Sequence, residues 1–531
     1  MAFKDELSQG WDQERIWRKY CGFLDLSLTE FMGTQEQLLL EQLELISDSP
    51  LAKRLMPRQP KDVAEFRRLV RLTTFDDYAA DLNEKNEDVL AVKPYVWGHT
   101  SGRGGAFKWV PYTQRAMERL VIFGTAMAIL ACTTRKGEVT IGSRLRSLQN
   151  MPPAPYMSGI LNRLMQEDMD IRIIPPLDEY ENADFETRVK VGFEIALRTG
   201  VDMISSLTSV LVKMGDSFAE SSGQSRLNRR MLHPQVMWRL ITAMLRSRRE
   251  KRDILPKDIW PLKGLVAYGT DTGIYREQLI HYWGKEPFET YVATEVGAIA
   301  MQAWNKKSMT FVASSCFLEF VPEQEWLKSR ENEDYQPATV LLDEVKPGEL
   351  YQLITTSFHG MPFLRYRLGD LIRIVALEDK EAGIKLPQMA FHSRADDLID
   401  IAGFPRLDEK TVWQAIANTK VKYEDWTVRK EYEQNEAVIR LYVELKEEIE
   451  ARELERLIQR ELLTLNRDYG DLESMLGIRP LRVALLPAGS FQRYYEEKQK
   501  AGFDLAHLKP RHMNAPDTVI QDLLRLGLNA S

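Results

Sequence analysis

Cysteine is scarce in this chain. Its 531 residues hold three, Cys21, Cys132 and Cys316, far apart and without ligand-like spacing, which excludes both a disulfide framework and a cysteine zinc site. Long apolar runs are missing too. The longest, Val121 to Cys132 (VIFGTAMAILAC), falls well short of the ~20 residues that a membrane-spanning helix needs. The opening MAFKDELSQGWDQE is charged and polar, unlike a secretory leader, so a reducing cytoplasmic setting is expected. Neither sign of charge dominates: 71 Lys and Arg face 78 Asp and Glu, a net −7. A mildly acidic total argues against a protein devoted to nucleic acid. No internal repeat and no low-complexity tract is present. With 44% hydrophobic and 28% charged residues, the composition is globular rather than disordered, and the length favours two or three structural units.

Apolar spacing predicts helices over Gln35–Leu45, Val63–Leu72 and roughly Gln114–Thr133. Between the last two, a strand-like Val92–Trp97 leads into His99-Thr100-Ser101-Gly102-Arg103-Gly104-Gly105. Strand, glycine turn and buried helix in that order predict an α/β unit. Val201–Met214 reads as a core helix. Gly264–Tyr268 reads as a strand that ends in Gly269-Thr270-Asp271, followed by a helix over 274–283. Short strands are expected at Thr290–Val292, Phe311–Pro322, Glu349–Ser357 and Asp370–Val375. Beyond Arg394–Gly403 the pattern becomes a small α+β unit of paired strands (Trp426–Glu433, Ala437–Glu444), a charged helix (Glu447–Asn466) and a strand (Leu481–Leu486). The one basic cluster, Arg246 to Arg252, suits the C-terminal pole of a helix better than RNA, since no aromatic residues are interleaved with it.

Three glycines in residues 102–105 would let backbone N–H groups converge on an anion. Lys108 adds a cation, and a helix start just beyond would add its dipole. A ligand-free tight turn would have the same composition. Other segments narrow this choice. Thr100, Ser101, Gly102, Gly105 and Lys108 match in register the phosphate loop of adenylate-forming enzymes. Tyr291-Val-Ala-Thr294-Glu295 resembles the Tyr-x-x-Ser/Thr-Glu motif of that superfamily. Leu364-Arg365-Tyr366-Arg367-Leu368-Gly369-Asp370 resembles its Arg-Tyr-x-x-Gly-Asp motif, and Arg394-Ala395-Asp396-Asp397 its hinge. Four motifs in order over about 300 residues make a specific signal.

Within the superfamily the chain most resembles the Gretchen Hagen family of acyl acid amido synthetases, in its bacterial branch. Phe317-Leu-Glu319-Phe-Val-Pro322, Gly489-Ser-Phe491-Gln-Arg-Tyr494 and Leu508-Lys509-Pro510-Arg511 resemble elements of that family. The segment Met361–Arg367 is closer to phenylacetate–CoA ligases. The chain departs from the pattern at Arg103 and Gly104, where two hydroxyl residues usually stand, at Phe107, which replaces a proline, and at His392-Ser393 before Arg394. Arg103 would either replace the lost hydroxyls by a charge-assisted contact or mark a non-catalytic, nucleotide-binding relative.

The resemblance implies an α/β fold: a large N-terminal adenylate-forming domain (1–394) of mixed sheets with helices, and a smaller mobile α+β C-terminal lid domain (395–531). It implies an ATP-dependent ligase that joins a carboxylic acid to AMP, releases pyrophosphate, and passes the acyl group to an amino-acid amine. CoA as acceptor is the alternative. Ser101, Gly102, Arg103, Gly104, Gly105 and Lys108 would cradle phosphates. Glu295 would hold Mg²⁺, and Thr294 would touch the α-phosphate. Tyr291 would pack on the nucleoside or else serve as a core aromatic. Asp370 would bind the ribose, Arg394 would bridge nucleotide and hinge, and Gly269, Thr270 and Asp271 would edge the adenine pocket. Lys509 would meet the acyl phosphate, with Lys498 and Lys500 as alternatives. His359 would be an acid–base group or a structural histidine. Met203, Leu207, Val266 and Val292 are the expected lining of an apolar acid pocket.

Overall fold

The computed structural model describes residues 1–99, 108–149, 151–180, 183, 185–221, 233–269, 272–331, 335–395, 399–400, 406–433, 436–466, 469–470, 479–500, 512–515 and 517–528. The architecture is mixed α/β, and the chain divides into two compact units, Met1–His392 and Ser393–Ser531.

The first unit holds two large sheets. Five parallel strands run in the order Arg172–Ile174, Arg146–Gln149, Met203–Leu207, Gly264–Tyr268, Pro287–Phe288. Helices join them, as parallel pairing requires. The core helix expected over Val201–Met214 is instead an interior strand, Met203–Leu207, followed by helix Thr208–Ser221. A strand buried on both faces shows a continuous apolar run, which periodicity cannot tell from a helix. The second sheet has seven strands in the order Cys316–Pro322, Leu350–Ser357, Tyr366–Ala376, Gln388–Arg394, Met309–Phe311, Gly297–Gln302, Thr290–Ala293. Gly297–Gln302 is buried at every position, and helix Gln114–Cys132 packs with this sheet in the main core.

That helix explains much of the local order. Thr113 accepts from the Ala116 N–H (3.2 Å) as N-cap. Its second half is apolar all round and buried. The C-terminal end is buried as well, and there the Lys306 ammonium donates to the carbonyls of Leu130 and Thr133, groups that a buried helix end would otherwise leave unpaired. Burial pushes the Lys306 amine down to about 8.

The second unit pairs Tyr423–Glu433 with Glu436–Leu445 antiparallel, and the latter with Leu481–Leu486 in parallel. Helices Glu409–Asn418, Ala451–Leu465, Ser490–Lys500 and Asp517–Leu528 complete it. Cys21, Cys132 and Cys316 are free and buried. Among the described residues no helix is long and apolar enough to cross a membrane. The basic run closes helix Pro234–Glu250, and beyond it Arg252 forks onto Asp258 (2.6 and 2.8 Å).

Candidate functional site

The site rests on two tight features of the seven-stranded sheet. Thr294, Glu295 and Val296 form the turn between strands Thr290–Ala293 and Gly297–Gln302, with the Val296 N–H bonded to the Ala293 carbonyl (3.2 Å). The turn leaves through Gly297 at φ +86°, a conformation that favours glycine. Across strands Gln388–Arg394 and Met309–Phe311 of the same sheet, in the pair Leu350–Ser357 and Tyr366–Ala376, Gln352 faces Leu371 and Ile354 faces Arg367. Leu353 therefore stands opposite three residues, Leu368, Gly369 and Asp370. This is a bulge, with Gly369 at φ +76°, and it re-aims the side chain that follows.

Two carboxylates result, both buried: Glu295 is 8% exposed and Asp370 5%. The Tyr366 hydroxyl donates to Glu295 Oε1 (3.2 Å), and the Lys108 ammonium donates to the Tyr366 oxygen (3.4 Å). Lys108 also lies over the Phe75 ring (5.2 Å). Asp370 Oδ2 accepts from the Tyr291 hydroxyl at 2.6 Å. Burial raises the Glu295 carboxyl above the ordinary range and nearby Asp370 adds to this, while Lys108 and Tyr366 oppose it. The Tyr112 hydroxyl donates to the Thr294 carbonyl (2.7 Å) and fixes the turn from the other side.

Tyr291 is 8% exposed, belongs to the main core, and lies 5.8 Å from the Phe391 ring. It packs as a core aromatic and orients Asp370. Arg365, within the same motif, is structural. It forks onto Glu319 (3.0 and 2.8 Å) and donates to the carbonyls of Arg67 and Val70 (both 2.6 Å). The Glu319 and Arg365 segments are thus joined by one ion pair. Gly269 follows its strand at φ +139°, and its carbonyl accepts from Thr272 (3.1 Å). Lys498 pairs with Asp522 (3.6 Å) in the second unit, and Lys500 ends the same helix. Ser101, Gly102, Arg103, Gly104, Gly105, Thr270, Asp271 and Lys509 lie outside the described residues, as does the side chain of Arg394.

One expectation about the loop is corrected. Strand Trp109–Tyr112, which pairs antiparallel with Val96–His99, stands between the glycine segment and the helix. The helix starts only at Gln114, and its dipole does not begin directly after the glycines. Trp109, Val110 and Tyr112 suit a strand, and Thr113 sets the helix start.

The expected acid pocket runs along 201–214, 264–269 and around 291–300. Met203 and Val266 are core residues, and Val292 is 49% exposed. A small cleft of about 10 Å³, room for one water, lies beside helix Gln114–Cys132, lined by Ala116, Leu120, Phe123, Phe358 and Met361 and bounded by Val296 and Gly297 of the Glu295 turn. Arg119 is the charged residue of its lining, and His359 also faces it. Sequence reasoning missed Tyr112, Arg119 and Tyr366 as site groups. Tyr366 stood inside a quoted motif, whereas nothing short of the fold brings Arg119 to this turn.

Among the described residues no group of three or more His, Cys, Asp or Glu is arranged so that it could hold a metal ion by itself. Single carboxylates such as Glu295 fit Mg²⁺ best, because that ion is usually held by one or two carboxylates together with phosphate oxygens and water.

Comparison with known proteins bears on the family and the fold. The GH3 family N-terminal domain matches residues 22–288, and the GH3 family central domain matches residues 309–394. A jasmonoyl–L-amino acid synthetase, JAR4 of Nicotiana attenuata, is 32% identical over 143 residues, 25% of this chain and 23% of that protein. The match thus spans under a quarter of that relative's length. The solved AtGH3.15 acyl acid amido synthetase in complex with 2,4-DB superposes with a TM-score of 0.69 at 17% identity, covering 97% of this chain and 96% of that one. A 2-hydroxyisobutyryl-CoA ligase in the postadenylation state shares the fold at TM-score 0.58 and 12% identity, over 89% and 92% of the two chains.

Proposed function

The chain belongs to the GH3 family, and on that premise we propose that it is an ATP-dependent ligase that adenylates a carboxylic acid and transfers the acyl group to an amino-acid amine. One observation carries the reading. Glu295 and Asp370 are buried within one site, each on a tyrosine hydroxyl, with a single lysine beside them. Burying carboxylates is costly, and such perturbed groups concentrate where chemistry is done.

In the reaction a carboxylate oxygen of the acid bonds to the α-phosphorus of ATP as the bond to pyrophosphate breaks. Lys108 supplies positive charge toward the departing phosphates. The Thr294 hydroxyl would contact the α-phosphate, Glu295 would hold Mg²⁺, and Asp370, held by Tyr291, would accept the ribose hydroxyls. Mg²⁺, when bound, neutralises charge that develops on the phosphate oxygens. Arg119 would meet the acid's carboxylate beside the Glu295 turn. The roles of Ser101, Gly102, Arg103, Gly104, Gly105, Gly269, Thr270, Asp271, Arg394 and Lys509 are those that the family resemblance assigns. The acyl-adenylate then loses AMP as the amine nitrogen attacks its carbonyl carbon.

The test is pyrophosphate release across a panel of apolar carboxylic acids, followed by product analysis with free amino acids and with CoA. Acid-dependent release and an amide product support the reading. A thioester would assign the acceptor to CoA, and ATP binding without acid-dependent release would identify a non-catalytic relative.

A further inference from the structure

Among the described residues, five of the fourteen large hydrophobics that stay exposed lie on one helix, Pro234–Glu250. They are Met237, Trp238, Ile241, Met244 and Leu245, with Trp238 69% and Leu245 63% exposed. Their spacing of three and four residues lines them up as one stripe. The opposite face is already used by the fold: Val236, Ala243 and Ser247 are buried, and Leu240 packs against the core that holds Trp260. Arg239 donates to the carbonyls of Ala196 (3.3 Å) and Leu197 (3.1 Å). The helix is therefore held in place by one side and presents a second apolar side to water, where a chain acting alone gains nothing from it.

The charge around this stripe is one-sided. Residues 222–252 hold nine Lys and Arg against a single acid, Glu250, in a chain whose net charge is −7. Arg248 continues the stripe one turn beyond Met244 and Leu245, and Arg249 borders it. Arg246, Arg248, Arg249 and Lys251 are exposed, and the ion pairs formed here among the described residues belong to Arg252, with Glu250 and Asp258. The negative C-terminal pole of the helix accounts for cations in its last turn but not for the apolar residues beside them. In the sequence, Arg226, Arg229 and Arg230 precede the helix. A second copy laid along the stripe would thus bring like charges together, which costs affinity. A nucleic acid offers phosphates but no aliphatic surface for Met237, Ile241, Met244 and Leu245. The occupant that satisfies both features is anionic outside and apolar beneath.

We propose that helix Pro234–Glu250 docks this chain on an anionic lipid surface, lying in the interface without crossing it. The stripe would sit where headgroups meet acyl chains, with the Trp238 rings in the apolar layer and its indole N–H at the headgroups. Arg246, Arg248, Arg249 and Lys251 would reach the anionic headgroups with their charged ends while their stems stay along the apolar surface. An apolar face of aromatic and aliphatic residues bordered by Arg and Lys is the composition of an interfacial helix. This helix is already formed, its end closed by Lys251 at φ +52° and by Arg252 forked onto Asp258, so docking orders little that is not ordered beforehand. The proposal does not depend on the adenylation reading and involves none of the residues assigned to it.

The experiment measures co-sedimentation of the full-length protein with vesicles of phosphatidylcholine alone and of equal parts phosphatidylcholine and phosphatidylserine, at low and at physiological salt. Binding should require phosphatidylserine and weaken as salt rises. Trp238→Gln/Leu245→Gln should lower the partition coefficient by about tenfold or more. Arg248→Gln/Arg249→Gln should lower it about twenty- to thirtyfold at low salt, about fivefold per cation. Thermal melts should stay at the wild-type value, because all four side chains are exposed. The wild-type comparison of the two vesicles decides the matter even if a variant misfolds. Failure to bind the phosphatidylserine vesicles, equal binding to both kinds, or binding that neither double variant weakens overturns the proposal. A dimer in light scattering that Trp238→Gln/Leu245→Gln dissolves would overturn it in favour of a second copy. Tighter capture of a single-stranded RNA than of the vesicles would overturn it in favour of nucleic acid.

Discussion

Removing one oxygen atom tests how Asp370 is held. Tyr291→Phe keeps the ring that packs 5.8 Å from Phe391 but deletes the hydroxyl that donates to Asp370 at 2.6 Å. A hydrogen bond to a charged group contributes about 1.5–3 kcal/mol. If Asp370 must be pre-oriented for ribose, most of that energy is lost from nucleotide binding. At about 1.4 kcal/mol per decade, the KM for ATP should rise about ten- to a hundredfold, while kcat changes little, as expected when uniform binding is removed. Pyrophosphate exchange at varied ATP measures this for Tyr291→Phe, Asp370→Asn and the double variant, with thermal melts to confirm folding. Because Tyr291 acts through Asp370, the double variant should be scarcely worse than Asp370→Asn alone. Effects that simply add, within about 0.3–0.5 kcal/mol, would refute the positioning role.

Glu295→Gln should lower adenylation roughly 10²–10³-fold and flatten its Mg²⁺ dependence; a rate within threefold of wild type contradicts the metal assignment. The raised Glu295 carboxyl means that the folded state holds this proton more tightly than the unfolded chain. Wild-type stability should therefore fall relative to Glu295→Gln as pH climbs above the ordinary glutamate value of 4.5, and parallel melting curves across that range would exclude it. In the second unit, His512 bridges Glu409 (2.7 Å) and Asp425 (2.9 Å) and stacks on Trp426; burial disfavours its charge, but the two carboxylates prevail and raise it to about 9. This stabilisation is fully present below pH 6.5, the ordinary value, and is lost as pH rises through about 9, so His512→Gln should remove that decline in melts from pH 6 to 9.5. Glu319→Ala should cost about 3–5 kcal/mol in urea unfolding, because it leaves the buried Arg365 uncompensated; a loss under 1 kcal/mol would deny that the pair joins the two segments.

What could be read from the sequence follows the range of the forces involved. Local signals gave the small unit's strand Leu481–Leu486 and the helix from Gln114 with their bounds nearly as observed, since alternation and an N-cap act within a few residues. The motifs carried Glu295 and Asp370 into one site because a tight turn and a glycine bulge are themselves written in local residues. Signals failed where the outcome depends on what packs on both sides. Met203–Leu207 is a strand because the strands on either side take up its backbone hydrogen bonds, while its two faces enter separate core clusters, Met203 in one and Ile204 in the other. Long-range contacts were likewise out of reach: the start of helix Gln114–Cys132 is tied to the turn at His359 by Thr113, which reaches the His359 carbonyl across 246 positions of sequence. The glycine-rich segment matched by residue type, yet the pairing of 96–99 with 109–112 on either side of it was not read from the sequence. Because these two strands flank that segment and pair with each other, substitutions in Val96–His99 that break the pairing should raise the KM for ATP, measured by pyrophosphate exchange at varied ATP; an unchanged KM would separate the pairing from nucleotide binding.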